Sequence, residues 1–164
     1  DENGIDHFYR HEKVGAELTE KIMKRLKFDN YTMHQVVKLV LYHDYQPRLT
    51  APRIRQSIYK IGEELYPLLF PIKKADILAQ SRYKQEEKLQ YTEELETIYQ
   101  SILAAGDCLS LKTLAVTGKD LIEAGMPPGK EIGEALQQLL NEVLEHPEHN
   151  QKEYLLNILP FSHT

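Results

Sequence analysis

The sequence predicts an all-α protein, a multi-helix bundle, and two observations carry that expectation. Apolar residues recur at helical spacing through most of the chain. No strand-length window alternates apolar and polar residues between hairpin turns.

The elements follow in order. After a short polar lead, Asp6 is placed to cap a helix through HFYRHEKVGAELTEKIMKRLKF, in which Val14, Leu18, Ile22 and Leu26 recur every fourth residue. Lys24, Arg25 and Lys27 suit the negative end of its dipole. Thr32-Met33-His34-Gln35 reads as a capping-box start, and Val36, Val37, Leu39, Val40 and Leu41 make the next helix mostly buried. It ends near His43-Asp44, with Pro47 beyond. Thr50 and Pro52 open a third helix, RIRQSIYKI, stopped by Gly62. Pro67 and Pro71 bracket an apolar corner before the helical stretch IKKADILAQS. Tyr83 to Ala105 is the longest pattern, with Leu89, Leu95, Ile98, Tyr99, Ile102 and Leu103 inward and Gly106 at its end.

The stretch from Leu114 to Leu144 organises the C-terminal part. Thr117 followed by Asp120 is a capping-box-like start, Leu121, Ile122 and Ala124 give a short apolar face, and Gly125 stands where a left-handed C′ residue is wanted. Pro127-Pro128-Gly129-Lys130 opens a second helix carrying Ile132, Ala135, Leu136, Leu139, Leu140, Val143 and Leu144, closed by Pro147. Asn150 with Glu153 starts a last helix holding Tyr154, Leu155 and Ile158. The turn between the two helices reads either as an ordinary corner or as a phosphate seat. In the second reading, free N–H groups and the positive end of the helix dipole converge, Gly129 admits a sugar-phosphate backbone, and Lys130 adds a charge.

At 164 residues the chain makes one medium domain or two small ones. It begins Asp1-Glu2-Asn3-Gly4 rather than with methionine, which reads as a piece of something longer. A single cysteine, Cys108, excludes an internal disulfide and fits a reducing compartment. No signal peptide and no membrane-length apolar run is present, so a soluble cytoplasmic protein without a membrane partner is expected. Net charge is −5, yet Lys21 to Lys84 holds 13 Lys and Arg against 5 Asp and Glu, while Ser101 onward holds 4 Lys against 9 acids. A basic block of this kind suits a polyanion or a solvated face.

His7 and His11, spaced i, i+4, project from one helical face. With His43-Asp44 and Asp76 they suit a divalent metal such as Zn, Mn or Fe, or simple helix-end capping. Nucleophilic catalysis finds no support, since Cys108 has no histidine near it and neither G-x-S-x-G nor a P-loop glycine pattern occurs. The ten tyrosines, scattered at helical spacing, suit core packing better than base stacking.

Two separated stretches resemble known families. HFYRHEKVGAE followed by LVLYHD resembles the second half of an HD-type helical domain. DLIEAGMPPGKEIGEALQQLLNEVL followed by PEHN-x-x-E resembles the C-terminal tail of bacterial CCA-adding enzymes, the tRNA nucleotidyltransferases related to poly(A) polymerases. The resemblance implies residues 1–82 as the C-terminal part of an HD-type domain and 83–164 as a helical, tRNA-binding body and tail. It implies that His11, His43 and Asp76 are a partial HD-type metal set, with the first histidine and the His-Asp doublet upstream. His7 matches a position common to the CCA-adding subset, and Arg10 departs from that subset's usual glycine.

Such enzymes carry an N-terminal head in which paired carboxylates hold two metal ions, with Mg expected, for phosphoryl transfer. This chain has no Gly-Ser, no Asp-x-Asp and no strand to mount them. The resemblance therefore implies the RNA-holding part of an enzyme that adds CTP- and ATP-derived nucleotides to a tRNA 3′ end, inactive by itself and partnered by that head. Gly129, Lys130, Lys119, Arg53 and Arg55 are the expected RNA contacts. An HD-type metal-dependent phosphohydrolase and a helical protein-interaction module are the alternatives.

Overall fold

The computed structural model describes residues 10–159. Among them are eight α-helices and no strand, as expected: α1 (His11–Arg25), α2 (Asn30–Tyr42), α3 (Ala51–Ile61), α4 (Leu69–Ala79), α5 (Gln85–Ala105), α6 (Gly118–Glu123), α7 (Lys130–Glu145) and α8 (Lys152–Asn157). The expected cap Asp6 and the histidine His7 lie outside the described residues. No described helix is long and apolar enough to cross a membrane.

The chain forms two compact units that interleave in sequence. One comprises the chain up to Gln46 with Ile61–Thr92, and the other Pro47–Lys60 with Glu93 onward. The division expected at residue 82 thus falls at 92 instead, inside α5, and most of α3 joins the second unit. Arg55 gives the physical reason. Its guanidinium donates to the Leu144 and Glu145 carbonyls at 2.7 and 3.0 Å and to the Asp107 carboxylate at 2.8 Å, tying α3 to the C-terminal end of α7.

Helix ends follow backbone chemistry, not always the residue type expected. α6 closes in a Schellman motif: Gly125 takes a φ of 103°, its N–H reaches the Ile122 carbonyl and that of Met126 the Leu121 carbonyl. α1 ends with the same bonds around Lys27, left-handed at φ 59° without being glycine. Arg10, where the resembled subset has glycine, is left-handed too, at φ 64°. α2 starts one turn earlier than Thr32 suggested, because Asp29 accepts from the Thr32 N–H at 2.9 Å. Pro71 lies in the first turn of α4, where its missing N–H has no intrahelical partner to lose. Likewise Asn150 does not cap α8. Its side chain accepts from Ala115 N–H and donates to the Thr113 carbonyl, pinning the loop before α6.

The second unit's core is well formed: Ile54, Ile58, Leu95, Tyr99, Ile102, Leu121, Leu139, Leu140, Val143, Leu144 and Leu155 are all buried. Leu103, Ile122 and Ile158, expected inward or on apolar faces, are exposed. The first unit buries Met23, Leu65, Tyr66, Leu69, Phe70 and Ile77, with Tyr66 and Phe70 edge to face. Its first two helices are covered less than their sequences suggest. Val14, Leu18, Ile22 and Leu26 face solvent, and no residue of α2 is fully buried, so Val36 to Leu41 are half-buried at most.

Removing Arg55 leaves two buried carbonyls and a carboxylate without their donor. Arg55→Met is expected to destabilise the chain by about 3–5 kcal/mol, read as a lowered urea midpoint. A midpoint within error of the parent would show the clamp to be idle.

Candidate functional site

Two of the three residues expected to form a metal set come together. His11 at the start of α1 and His43 just past α2 place their Nε2 atoms 3.2 Å apart, rings edge to face. The tautomers follow from the partners. His43 Nδ1 lies 2.6 Å from the Val40 carbonyl, which can only accept, so Nδ1 carries the hydrogen. In neutral His43, Nε2 then accepts, and His11 Nε2–H donates to it. His43 is thereby a helix-end cap, satisfying a carbonyl of the last turn of α2.

Asp76 stays apart from this pair and accepts from Gln80 Nε2 at 2.6 Å. Among the described residues no three His, Cys, Asp or Glu side chains converge as a metal set. Two imidazoles already bonded to each other fall short of the three or four donors a divalent ion takes, so the described residues alone do not fit one.

The turn from Gly125 to Lys130 has the predicted outline with a different interior. Thr117 and Asp120 complete the capping box of α6. The Lys152 ammonium also binds Asp120, and these bonds, Lys152 first, hold its carboxyl well below the usual range. α7 begins at Lys130 with Gly129 as its N-cap, so both prolines precede the helix. Gly129 is extended, at φ 170°, and needs no glycine for its backbone. The Glu131 carboxylate folds against Gly129, in the space a side chain there would take. The protein's own anion thus sits at the helix N-terminus, where a phosphate was expected.

The expected RNA contacts divide by burial. Lys130 and Lys119 are 81% and 84% exposed and form loose i, i+4 pairs with Glu134 and Glu123 at 3.8 and 3.6 Å. Arg53 is exposed and bonds only the neutral Gln56 amide among printed partners of its guanidinium, at 2.8 Å. Arg55 is buried and held on three sides, which removes it from the set available to a polyanion.

Comparison with known proteins places this geometry. The model of the family described as tRNA nucleotidyltransferase domain 2 matches residues 8–159. The chain belongs to that family. It is similar to the A-adding tRNA nucleotidyltransferase of Deinococcus radiodurans, at 27% identity over 141 residues that cover 84% of this chain and 32% of the relative. The chain therefore spans about a third of that relative's length. No solved structure matches it significantly.

One residue of this tRNA nucleotidyltransferase domain escaped the sequence reading. Lys73 of α4 is buried, and its ammonium donates to the His43 and Tyr45 carbonyls at 2.8 and 2.7 Å. Burial lowers its pKa to about 8, against the opposing pull of the Asp44 and Asp76 carboxylates. Its sequence signal was faint, a lysine on the apolar side of KKADIL. Lys73 also lines a small cleft with Gln46, Ile77, Lys88, Tyr91 and Thr92, where burial raises the Tyr91 phenol to about 12.

The lowered pKa sets a direction for stability. The folded state releases the Lys73 proton near pH 8, whereas the unfolded chain holds it to about 10.4. Between those values the unfolded state binds more protons, so stability rises with pH. Urea midpoints of the parent are expected to gain on those of Lys73→Met from pH 8 upward. Parallel profiles for the two proteins would contradict this.

Proposed function

We propose that this chain is the helical, tRNA-engaging part of a tRNA nucleotidyltransferase. It grips the tRNA backbone while nucleotide addition takes place on a head domain outside these residues. The family match across residues 8–159 is the observation that carries the reading. The absence of a Gly-Ser turn and of an Asp-x-Asp pair from the sequence supports assigning the chemistry elsewhere. Backbone recognition needs fixed cations rather than base-reading groups, and Lys119, Lys130 and Arg53 of the second unit are exposed to supply them. Their partners are weak: surface i, i+4 pairs contribute about 0.3–0.5 kcal/mol, so a phosphate competes readily. The reaction is either full CCA addition from CTP and ATP or the A addition named in the relative. Incorporation of each labelled nucleotide by the full-length protein separates the two.

Two outcomes test the reading. Lys130→Ala is expected to weaken binding uniformly across tRNAs and to lower the salt slope by about one, while Glu131→Gln, which neutralises the anion at the α7 N-terminus, tightens it. Equal affinity of parent and both variants in matched salt would remove the turn from the interface. For the phosphohydrolase alternative, metal analysis of protein purified without chelator is expected to find no stoichiometric divalent ion. One ion per chain, lost in His43→Ala, would reinstate it.

A further inference from the structure

We infer that the outer face of α1 is a docking surface for a helix from the nucleotidyltransferase part of the same protein. This rests on the reading of the chain as one part of that enzyme. Val14, Leu18, Ile22 and Leu26 form an unbroken i, i+4 row, and they are 64%, 56%, 37% and 59% exposed. The row extends along most of α1, about 18 Å at 1.5 Å per residue. α1 meets α2 through its opposite side, where Ala16 and Met23 are buried and Gly15 lies close to Val40. The exposed row is therefore a second apolar face on a helix that already has a packed one. A helix that is apolar on two sides is built to lie between neighbours.

The geometry indicates what covers it. Rows of i, i+4 side chains are the ridges that pack into the grooves of a second helix crossing at about 50°. A spacing of four drifts around the helix by about 40° per step, which suits one short crossing and not a long coiled-coil seam. Lys21 and Arg25, both exposed, border the row. The partner helix is therefore amphipathic, with acidic residues along one edge of its apolar stripe. The matched relative is about three times as long as the stretch it shares with this chain, which leaves room for such a helix within one polypeptide.

Cysteine accessibility in the full-length protein tests the inference. Leu18→Cys and Ile22→Cys are compared with Glu134→Cys on the exposed face of α7, and Cys108 is left in place because it is buried. Maleimide labelling at positions 18 and 22 is expected to be at least tenfold slower than at 134, independent of protein concentration and of tRNA. Equal rates overturn the proposal. Protection that fades on dilution assigns the face to a second copy, and protection that appears only with tRNA assigns it to RNA; either result also overturns it. Val14→Cys stands in if either stripe variant fails to fold. The readout needs no catalysis, so a full-length protein that adds no nucleotide to tRNA fails the functional reading without disturbing this result.

Discussion

The arrangement of this chain depends on buried cations that close helix C-termini. The last carbonyls of a helix have no intrahelical donor, and burying them unsatisfied is costly. Arg55 resolves this for α7 by donating to the Leu144 and Glu145 carbonyls while pairing with Asp107. Lys73 acts in the same way just past α2, on the His43 and Tyr45 carbonyls. Each reaches its target from a helix distant in sequence, so each is a tertiary fastener as well as a cap. α3 belongs to the second unit largely through the first of these bonds.

The same two residues change how the charge of the chain is read. The basic block counts both as positive charges presented to a polyanion, yet both are internal. Capping, not RNA recognition, explains their charge. The cations left at the surface of the second unit stand among carboxylates, and Glu131 occupies the end of α7 itself. A site so arranged discriminates by competition: a phosphate must displace a weakly held internal anion, which lowers affinity and keeps the contact reversible.

The histidine pair shows a similar economy. His43 is held by the Val40 carbonyl and in turn accepts from His11, so one imidazole caps α2 while joining α1 to it. The resemblance to an HD-type domain located both residues correctly in space. It did not foresee that Asp76 would stand apart with Gln80. Two donors joined by a hydrogen bond are a structural link, and a metal centre would need ligands from elsewhere.

Helix positions, the Gly125 stop and the capping box at Thr117 were determined by the sequence alone, because propensity, capping and turn chemistry act within a few residues. The inner face of α7 was equally legible, since Ala135, Leu139, Leu140, Val143 and Leu144 repeat at helical spacing and are all buried. Tertiary structure decided what spacing cannot express. The apolar row of α1 has the periodicity of a core face and faces solvent, because periodicity shows that a face is apolar but not whether anything covers it. Arg55 and Lys73 look like surface cations, because a charge in one helix carries no local sign of the carbonyls it will meet some 30 to 90 residues away. Gly129 looked like an opening for a phosphate, and only the folded turn places Glu131 there.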